Sequence, residues 1–153
     1  MARSGCVIDA SALVLAVQRE ERDARAALAR KLLPRLLEAH GLTAPALLAW
    51  ELGQIVHRKR PTEWRDRAHR SRTLQLLLED IELAPPDAAM LERTGHIAEA
   101  HDLSFHDAAY LELAAGAEDR FLLTEDERLL SAGRALLGPE RTFDLGRLDA
   151  KIP

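Results

Sequence analysis

The sequence predicts an α/β protein in which helices cover both faces of a central parallel sheet of four to five strands. Short apolar runs alternate with longer stretches of helical spacing, which is typical of parallel strands joined by right-handed helical crossovers. The run from Cys6 to Ile8 is apolar throughout and has two β-branched residues, which favours a strand buried on both faces. This run is therefore the predicted central strand, with Asp9 at its exit.

The elements follow from apolar spacing and from the residues that interrupt it. Five runs have the length of strands: residues 6–8, 42–44, 81–84, 121–123 and 142–145. Seven stretches have helical spacing: residues 10–18, 24–36, 45–59, 63–79, 87–100, 104–115 and 126–137. Pro34 predicts a kink or a restart in the second helix, Gly41 predicts its end, and Pro45 predicts the first turn of the third.

Composition predicts one domain, residues 1–153, in a reducing cytoplasm. Of the 153 residues, 47% are hydrophobic and one is a cysteine. A chain of this length buries a core without disulfides, and a single cysteine excludes an internal disulfide and a cysteine-rich zinc site. No apolar run approaches the roughly 20 residues that span a bilayer. The charge of Asp9 just before the apolar stretch 12–17 argues against a signal peptide.

Two of the predicted strands run into an acid and a hydroxyl. Asp9 and Ser11 follow the first strand, and Thr124 and Asp126 follow the fourth. The carboxyl ends of parallel strands share one edge of a sheet, where ligands and catalytic groups collect. An aspartate after a strand is, taken alone, more often the N-cap of the next helix. Both interpretations remain open for Asp9 and Asp126.

Two further acids lie on helix faces that are predicted to point toward the sheet. Glu51 lies four residues after Leu47, on an apolar face. An unpaired charge in such a place costs several kcal/mol, so Glu51 requires a metal ion or an arginine. Asp107 lies three residues after Ser104, as in a capping box, but also four residues before Leu111 and therefore toward the sheet. A doubly wound sheet would bring all four acids to one rim.

The segments around the four acids resemble the PIN-domain family, and within it the VapC-type ribonuclease toxins. They read Val-Ile-Asp-Ala-Ser, Pro-Ala-Leu-Leu-Ala-Trp-Glu, Leu-Ser-Phe-His-Asp-Ala-Ala-Tyr and Leu-Leu-Thr-Glu-Asp. The resemblance extends from Val7 to about Leu145. Residues that match the family's acidic quartet and its accompanying hydroxyls are Asp9, Glu51, Asp107 and Asp126, with Ser11 and Thr124. Gln54 departs from the pattern, which often has asparagine there.

The resemblance implies an α/β/α sandwich, Mg²⁺- or Mn²⁺-dependent RNA cleavage, and neutralisation by a small antitoxin. Carboxylates without competing cysteine ligands also suit hard divalent cations. Asp9, Glu51 and Asp107 are the expected direct or water-mediated ligands, and Asp126 completes a second ion's site or orients water. We expect an RNA substrate, and either a homodimer or a hetero-oligomer with the antitoxin. An arginine or lysine of the antitoxin is expected to reach the acids.

Other functions find less support in the residues. His101 and His106 are five residues apart, which does not match the four-residue spacing of a zinc-binding helix. Ser11 lacks the glycines of a hydrolase nucleophile motif, so a hydrogen bond to an acid or to a metal-bound water is expected instead. Two alternatives remain: a catalytically silent binding module, and a housekeeping RNA-processing nuclease without an antitoxin.

A basic run after the third helix is a candidate RNA-binding surface. Its members are Arg58, Lys59, Arg60, Arg65, Arg67, Arg70 and Arg72. The net charge of −4 argues weakly against bulk nucleic-acid binding, but a local basic patch overrides a mildly acidic total. Acids repel RNA, so nearby cations would have to attract its backbone. The run is equally consistent with a solvated helix face, and Trp64 with either base stacking or packing under the arginines.

Overall fold

Five parallel strands form the sheet in a computed structural model that describes residues 5–17, 23–58 and 67–151. The strands are β1 (Cys6–Ile8), β2 (Leu42–Pro45), β3 (Ile81–Ala84), β4 (Phe121–Leu123) and β5 (Thr142–Phe143). Their order across the sheet is β3-β2-β1-β4-β5, and every neighbouring pair is parallel. The predicted α/β fold class is therefore confirmed, with β1 as the central strand.

Helices flank this sheet. In the described residues they are α1 (Ala10–Val17), α2 (Ala24–Ala39), α3 (Leu47–Arg58), α4 (Arg67–Glu79), α5 (Ala88–His101), α6 (Phe105–Ala115), α7 (Glu127–Leu136) and α8 (Leu145–Asp149). A short 3-10 helix at Pro139–Arg141 precedes β5. None of the described helices is both long enough and apolar enough to cross a membrane.

Several local predictions need correction. Pro45 does not begin a helix but ends β2, where the next N–H, that of Ala46, donates to Ala84 O at 2.9 Å. The helix predicted from Pro45 therefore starts at Leu47. Helix α2 continues through Pro34 without restarting. Gly41 lies just beyond the C-cap of α2 with φ +75°, as expected of a helix stop.

The end of the chain also differs from the prediction. The last strand is two residues long, not four, because Asp144 caps a helix that was not predicted. Its carboxylate accepts the N–H of Arg147 at 2.8 Å. This helix, α8, packs against α2 and β5. Helical spacing in so short a segment gives little signal, so its capping aspartate was the only sequence cue.

The core is centred on β1. Cys6, Val7 and Ile8 have no exposed surface, as expected of a strand between two sheet neighbours and two helical layers. Helix α6 packs against β1, β2 and β4 and is buried continuously from Ala108 to Ala114. These contacts place Asp9, the residue after β1, at the middle of the carboxyl edge and close to α6.

Candidate metal centre and active site

Asp9 lies at the junction between the central strand and the first helix. Its N–H continues the sheet by donating to Leu123 O at 3.0 Å. Its carbonyl oxygen accepts the N–H groups of Ala12 and Leu13, at 3.2 and 3.3 Å, in the first turn of α1. The residue is 7% exposed. The backbone therefore fixes a nearly buried carboxylate at the carboxyl edge of the sheet.

Two hydroxyls hold this carboxylate. Ser11 Oγ donates to Asp9 Oδ2 at 2.6 Å, and Thr124 Oγ1 donates to the same oxygen at 2.8 Å. The two hydroxyl oxygens are 3.2 Å apart. The parallel register pairs Ile8 with Leu123, which brings Thr124 beside Asp9. The carboxylate consequently has a fixed orientation that comes from two different strand exits.

Glu51 lies on α3, half-buried, and accepts a hydrogen bond from Tyr110 on α6. The phenol donates to Glu51 Oε2, and Tyr110 has no exposed surface. No ion pair between described side chains involves Glu51. The sequence suggests an arginine or a metal ion as the partner of Glu51, whereas the partner in the structure is Tyr110. A cue was available, because this single tyrosine follows Asp107 by three residues on an alanine-rich apolar helix.

Asp107 lies in the first turn of α6, which Ser104 caps, and its charge acts on the other acids. Its N–H donates to Ser104 Oγ at 3.0 Å, and Ser104 Oγ donates to Asp107 Oδ2 at 2.7 Å. This is the capping arrangement expected from the spacing. The charge of Asp107 nevertheless raises the pKa of Asp9 and that of Glu51. A position in the capped first turn of α6 therefore does not prevent Asp107 from acting on Asp9 and Glu51.

Burial dominates the acid–base properties of the site. It raises the pKa of Asp9, against the opposing effect of the Ser11 and Thr124 hydrogen bonds, and the charge of Asp107 raises it further. Burial likewise raises the pKa of Glu51, against the hydrogen bond from Tyr110, and Asp9 adds to the increase. The charge of His106 acts in the opposite direction on Glu51. A bound cation would relieve all of these unfavourable interactions of the ionised acids.

Asp126 has a different position from the other three acids. It is exposed, and its Oδ1 accepts the N–H of Leu129 at 2.8 Å as the N-cap of α7. The N–H of Asp126 donates to Thr124 Oγ1 at 3.1 Å. The alternative interpretation as a helix cap is therefore what the structure shows for this side chain. Thr124 connects it to the Asp9 carboxylate.

Glu125, which is not among the residues predicted for the site, connects this edge to α1, α2 and α8. Its N–H donates to Ser11 Oγ at 3.0 Å, and its Oε1 accepts the N–H of Leu145 at 2.8 Å. The carboxylate also pairs with Arg25 on α2, and its side chain is 7% exposed. The position between Thr124 and Asp126 was the only cue. Glu125 fixes the loop that carries Thr124.

The predicted basic surface falls mostly outside the described residues. Lys59, Arg60 and Arg65 lie in the segment between residues 58 and 67 that is not described, as does Trp64. Arg58 is the last residue of α3, and Arg67 and Arg70 belong to α4. Arg72 is exposed on α4.

The acids fit a hydrated divalent ion better than an ion enclosed by protein ligands. Across residues 5–17, 23–58 and 67–151, no three His, Cys, Asp or Glu side chains stand close enough together to hold a metal ion. Magnesium, however, usually keeps several waters and binds through one or two carboxylates. Asp9 and Glu51 supply oxygen donors of this type. Cys6 does not compete, because it is buried and burial raises the pKa of its thiol.

Comparison with known proteins identifies the domain. Residues 6–135 match the family model of the PIN domain. The crystal structure of PAE2754 from Pyrobaculum aerophilum superposes with a TM-score of 0.67 at 24% sequence identity, over 99% of this chain and 90% of that chain, and so has the same fold. No curated protein matches the chain.

Proposed function

The chain belongs to the PIN-domain family, and from that premise we propose that it is a Mg²⁺- or Mn²⁺-dependent endoribonuclease and the toxin of a toxin–antitoxin pair. PIN domains are generally nucleases that need divalent metal ions. The observation that supports the proposal most is the Asp9 carboxylate. It is buried at the exit of the central strand, accepts hydrogen bonds from two hydroxyls, and is subject to the charge of Asp107.

In this proposal Asp9, Glu51 and Asp107 bind the ion directly or through water, and Asp126 completes a second ion's site or orients water. An ion bound by these residues would lower the pKa of a coordinated water and would stabilise negative charge on the phosphodiester. Ser11 and Thr124 orient the Asp9 carboxylate, and Tyr110 orients that of Glu51. Groups that orient a metal ligand in this way typically contribute 10- to 100-fold to metal affinity or activity.

Tyr110 acts as a hydrogen-bond donor and not as a base. Its pKa is raised, first by burial and then by the hydrogen bond to Glu51, so the phenol keeps its proton at neutral pH. Charges of Asp9 and Asp107 add to this effect. Proton uptake from the attacking water therefore falls to an acid at the rim or to solvent.

An assay on purified protein tests the proposed activity. Total RNA is incubated with the wild-type chain and with Asp9→Asn, with Mg²⁺, with Mn²⁺ or with a chelator, and the cleavage sites are mapped. We expect discrete cuts that need the metal and are absent from the variant. Metal-independent cutting, or equal cutting by both proteins, would contradict the assignment. A silent binding module would show neither cleavage nor a metal site at millimolar concentration.

The proposed antitoxin reaches the acids with an arginine or lysine. PIN nucleases bind RNA and often pair with antitoxins. Carboxylates whose pKa is raised by burial and by like charges favour a cation, and a guanidinium binds carboxylates through two parallel hydrogen bonds. Val14, Leu15 and Leu28 on α1 and α2 are only partly buried, which leaves apolar surface for a partner helix or a second copy.

Co-expression with the neighbouring open reading frame tests this partnership. The two proteins should co-purify, and the complex should cleave RNA more slowly than the chain alone. Changing the partner's candidate arginine to alanine should restore cleavage without preventing co-purification. Recovery of a fully active chain that is harmless to its host would favour a housekeeping nuclease. Light scattering on the same samples distinguishes a homodimer from a hetero-oligomer.

We also propose that residues 1–153 form a single cytoplasmic domain. A further proposal is that the basic run binds the RNA backbone; its members are Arg58, Lys59, Arg60, Arg65, Arg67 and Arg70. Changing Arg65, Arg67 and Arg70 together to glutamate should weaken RNA binding and flatten its dependence on salt. Metal affinity should be little altered. An unchanged salt slope would indicate that the run is only a solvated face.

A further inference from the structure

A small apolar cavity opens beside the acids, and we propose that it binds one unpaired nucleobase of the RNA substrate against the ring of Phe105. The cavity has a volume of about 220 Å³. It lies between the N-terminal ends of α3, α5 and α6. This inference rests on the proposed ribonuclease function and adds to it a subsite that reads a base next to the cleaved phosphodiester.

The cavity and the acids share the carboxyl edge of the sheet. Pro45 and Ala84, the last residues of β2 and β3, line the cavity, and Asp9 follows the neighbouring strand β1. His106 also lines it and directly precedes Asp107 in the chain. His106 is therefore a wall common to the cavity and the acidic site. A base bound in the cavity would therefore lie on the same edge of the sheet as the acids.

The cavity presents an apolar surface that the rest of the described chain does not cover. Met90, Leu91, Phe105 and Ala109 form much of its wall. Phe105 and Leu91 are each 45% exposed, and they are two of only five large hydrophobic side chains that are exposed among the described residues. Exposed aromatic and aliphatic side chains that adjoin in this way mark binding surfaces.

The Phe105 ring lines this cavity and lies beside α5. Its Cε2 atom lies only 4.0 Å from the position that a Cβ on Gly95 would occupy, so the ring rests close to the backbone of α5. Phe105 is the first residue of α6, directly after the N-cap Ser104. A ring that lies beside one helix and is 45% exposed offers a surface on which a base can stack.

The size and chemistry of the cavity fit a base better than a peptide helix. Its volume is below the roughly 300 Å³ at which sites for drug-sized ligands begin, so it admits about one ring system. Proteins read single-stranded RNA by stacking unpaired bases on aromatic side chains and histidines. A base is neutral, so the nearby carboxylates do not repel it. The exposed imidazole of His106 is available to the polar edge of the base.

The test uses an oligonucleotide that contains a mapped cleavage site, together with versions that each lack one base near it. For the wild-type protein, loss of the base that enters the cavity should lower kcat/KM roughly 5- to 150-fold, the range of base–aromatic stacking. Phe105→Ala should lower kcat/KM on the intact oligonucleotide by a similar factor. For Phe105→Ala, kcat/KM should then be the same on the oligonucleotide with that base and on the one without it.

Three further variants make this result specific. Phe105→Tyr keeps the ring and should behave as the wild type, whereas Phe105→Leu keeps apolar volume and should behave as Phe105→Ala. Leu136→Ala removes a side chain of similar exposure, 43%, that does not line the cavity. It should retain the wild-type response to every missing base. The same comparison can be made without turnover. It measures how tightly the Asp9→Asn variant and the Asp9→Asn, Phe105→Ala double variant bind the intact and the abasic oligonucleotides.

The outcomes separate this inference from the function on which it rests. If the wild-type chain does not cleave RNA with metal, the proposed function fails. If it cleaves, and a missing base has the same effect in Phe105→Ala as in the wild type at every position, only the base subsite is excluded. A Phe105→Ala protein that changes its oligomeric state, or loses a protein partner, with an unaltered base response would assign the cavity to a protein interface instead.

Discussion

The exits of β1 and β4 contain the same residue types but place them in different environments. At β1 the acid comes first and the hydroxyl second, as Asp9 and Ser11, whereas β4 is followed by Thr124 and then Asp126. Asp9 is 7% exposed and accepts both hydroxyls. Asp126 is exposed and caps α7. Two similar sequences therefore give one buried, oriented carboxylate and one surface cap.

The strand register explains this difference. Ile8 pairs with Leu123, so the residues that follow, Asp9 and Thr124, become neighbours. The acid of one exit meets the hydroxyl of the other. Asp126 lies two residues farther along, directly before α7. The first N–H groups of that helix have no partner within the helix, and Asp126 caps them. The order of acid and hydroxyl, and not their presence, decides which acid is buried.

The largest expected effect is the difference in RNA cleavage between the Asp9→Asn and Asp126→Asn variants. Asp9→Asn should lower cleavage by about 10³-fold, because a metal ion contributes several kcal/mol and each 1.4 kcal/mol is a factor of ten. Asp126→Asn should lower it by only about 10- to 100-fold and should leave the stability of α7 unchanged, because asparagine caps as well as aspartate. Single-turnover kinetics measure the cleavage activity of each variant, and thermal unfolding measures its stability. Equal losses in the two variants would remove the distinction between the exits.

Thr124→Val removes the hydroxyl that both exits share. Asp9 loses a donor and the Asp126 N–H loses an acceptor, so we expect a 10- to 100-fold loss of activity. The variant should also lose about 1–3 kcal/mol of unfolding free energy, the usual effect of leaving a buried polar group without its partner. Thr124→Ser keeps the hydroxyl and is the matched control. If serine and valine behave alike, the hydroxyl has no role in orienting Asp9.

Tyr110→Phe tests the half-buried acid without a change of shape. The tyrosine hydrogen bond lowers the pKa of Glu51, so its loss should raise that pKa further and move the rising limb of the pH–rate profile to higher pH. The loss of activity at neutral pH should be smaller than for Thr124→Val, at about tenfold. An unchanged pH profile would indicate that Glu51 does not take part in the reaction.

The smallest effect concerns stability without metal. Burial raises the pKa of Asp9 in the folded state above the ordinary value of about 3.9 for aspartate, so the folded protein binds more protons than the unfolded protein between these two values. Stability from this group is therefore lost as the pH rises through that interval. Asp9→Asn removes the effect and should melt higher than the metal-free wild type at neutral pH, with the difference shrinking near pH 4. Mn²⁺ should stabilise only the wild type.

Much of the fold could be predicted because its strands and helices have strong local signals. The apolar run at β1 and the prolines after β3 were sufficient to locate those strands within a residue. Pro45 was wrongly predicted to begin a helix, whereas it ends β2. A proline between a strand and a helix is compatible with either position, and the local sequence does not distinguish them. Helix α8 was missed because five residues carry too little periodicity to be recognised.

The candidate site was predictable only in part. The parallel sheet predicts that the acids share one rim, and this stays a prediction for the four together. The burial of Asp9 and the exposure of Asp126 depend on the register between β1 and β4, which the sequence does not encode locally. The hydrogen bond between Tyr110 and Glu51 joins residues 59 positions apart. The apolar cavity arises where strand ends and three helices meet. Contacts of this kind follow from tertiary packing and not from spacing along one segment.

Calorimetric titration with Mn²⁺ tests the central claim most directly, because it measures the site independently of any RNA. It compares the wild-type chain with Asp9→Asn and with Asp126→Asn under identical conditions. We predict a saturable site at millimolar or lower Mn²⁺ in the wild type, its loss in Asp9→Asn, and its retention in Asp126→Asn. A wild-type chain that binds no Mn²⁺, or an Asp9→Asn variant that binds it as tightly as the wild type, would contradict the assignment of Asp9 as the centre of the site.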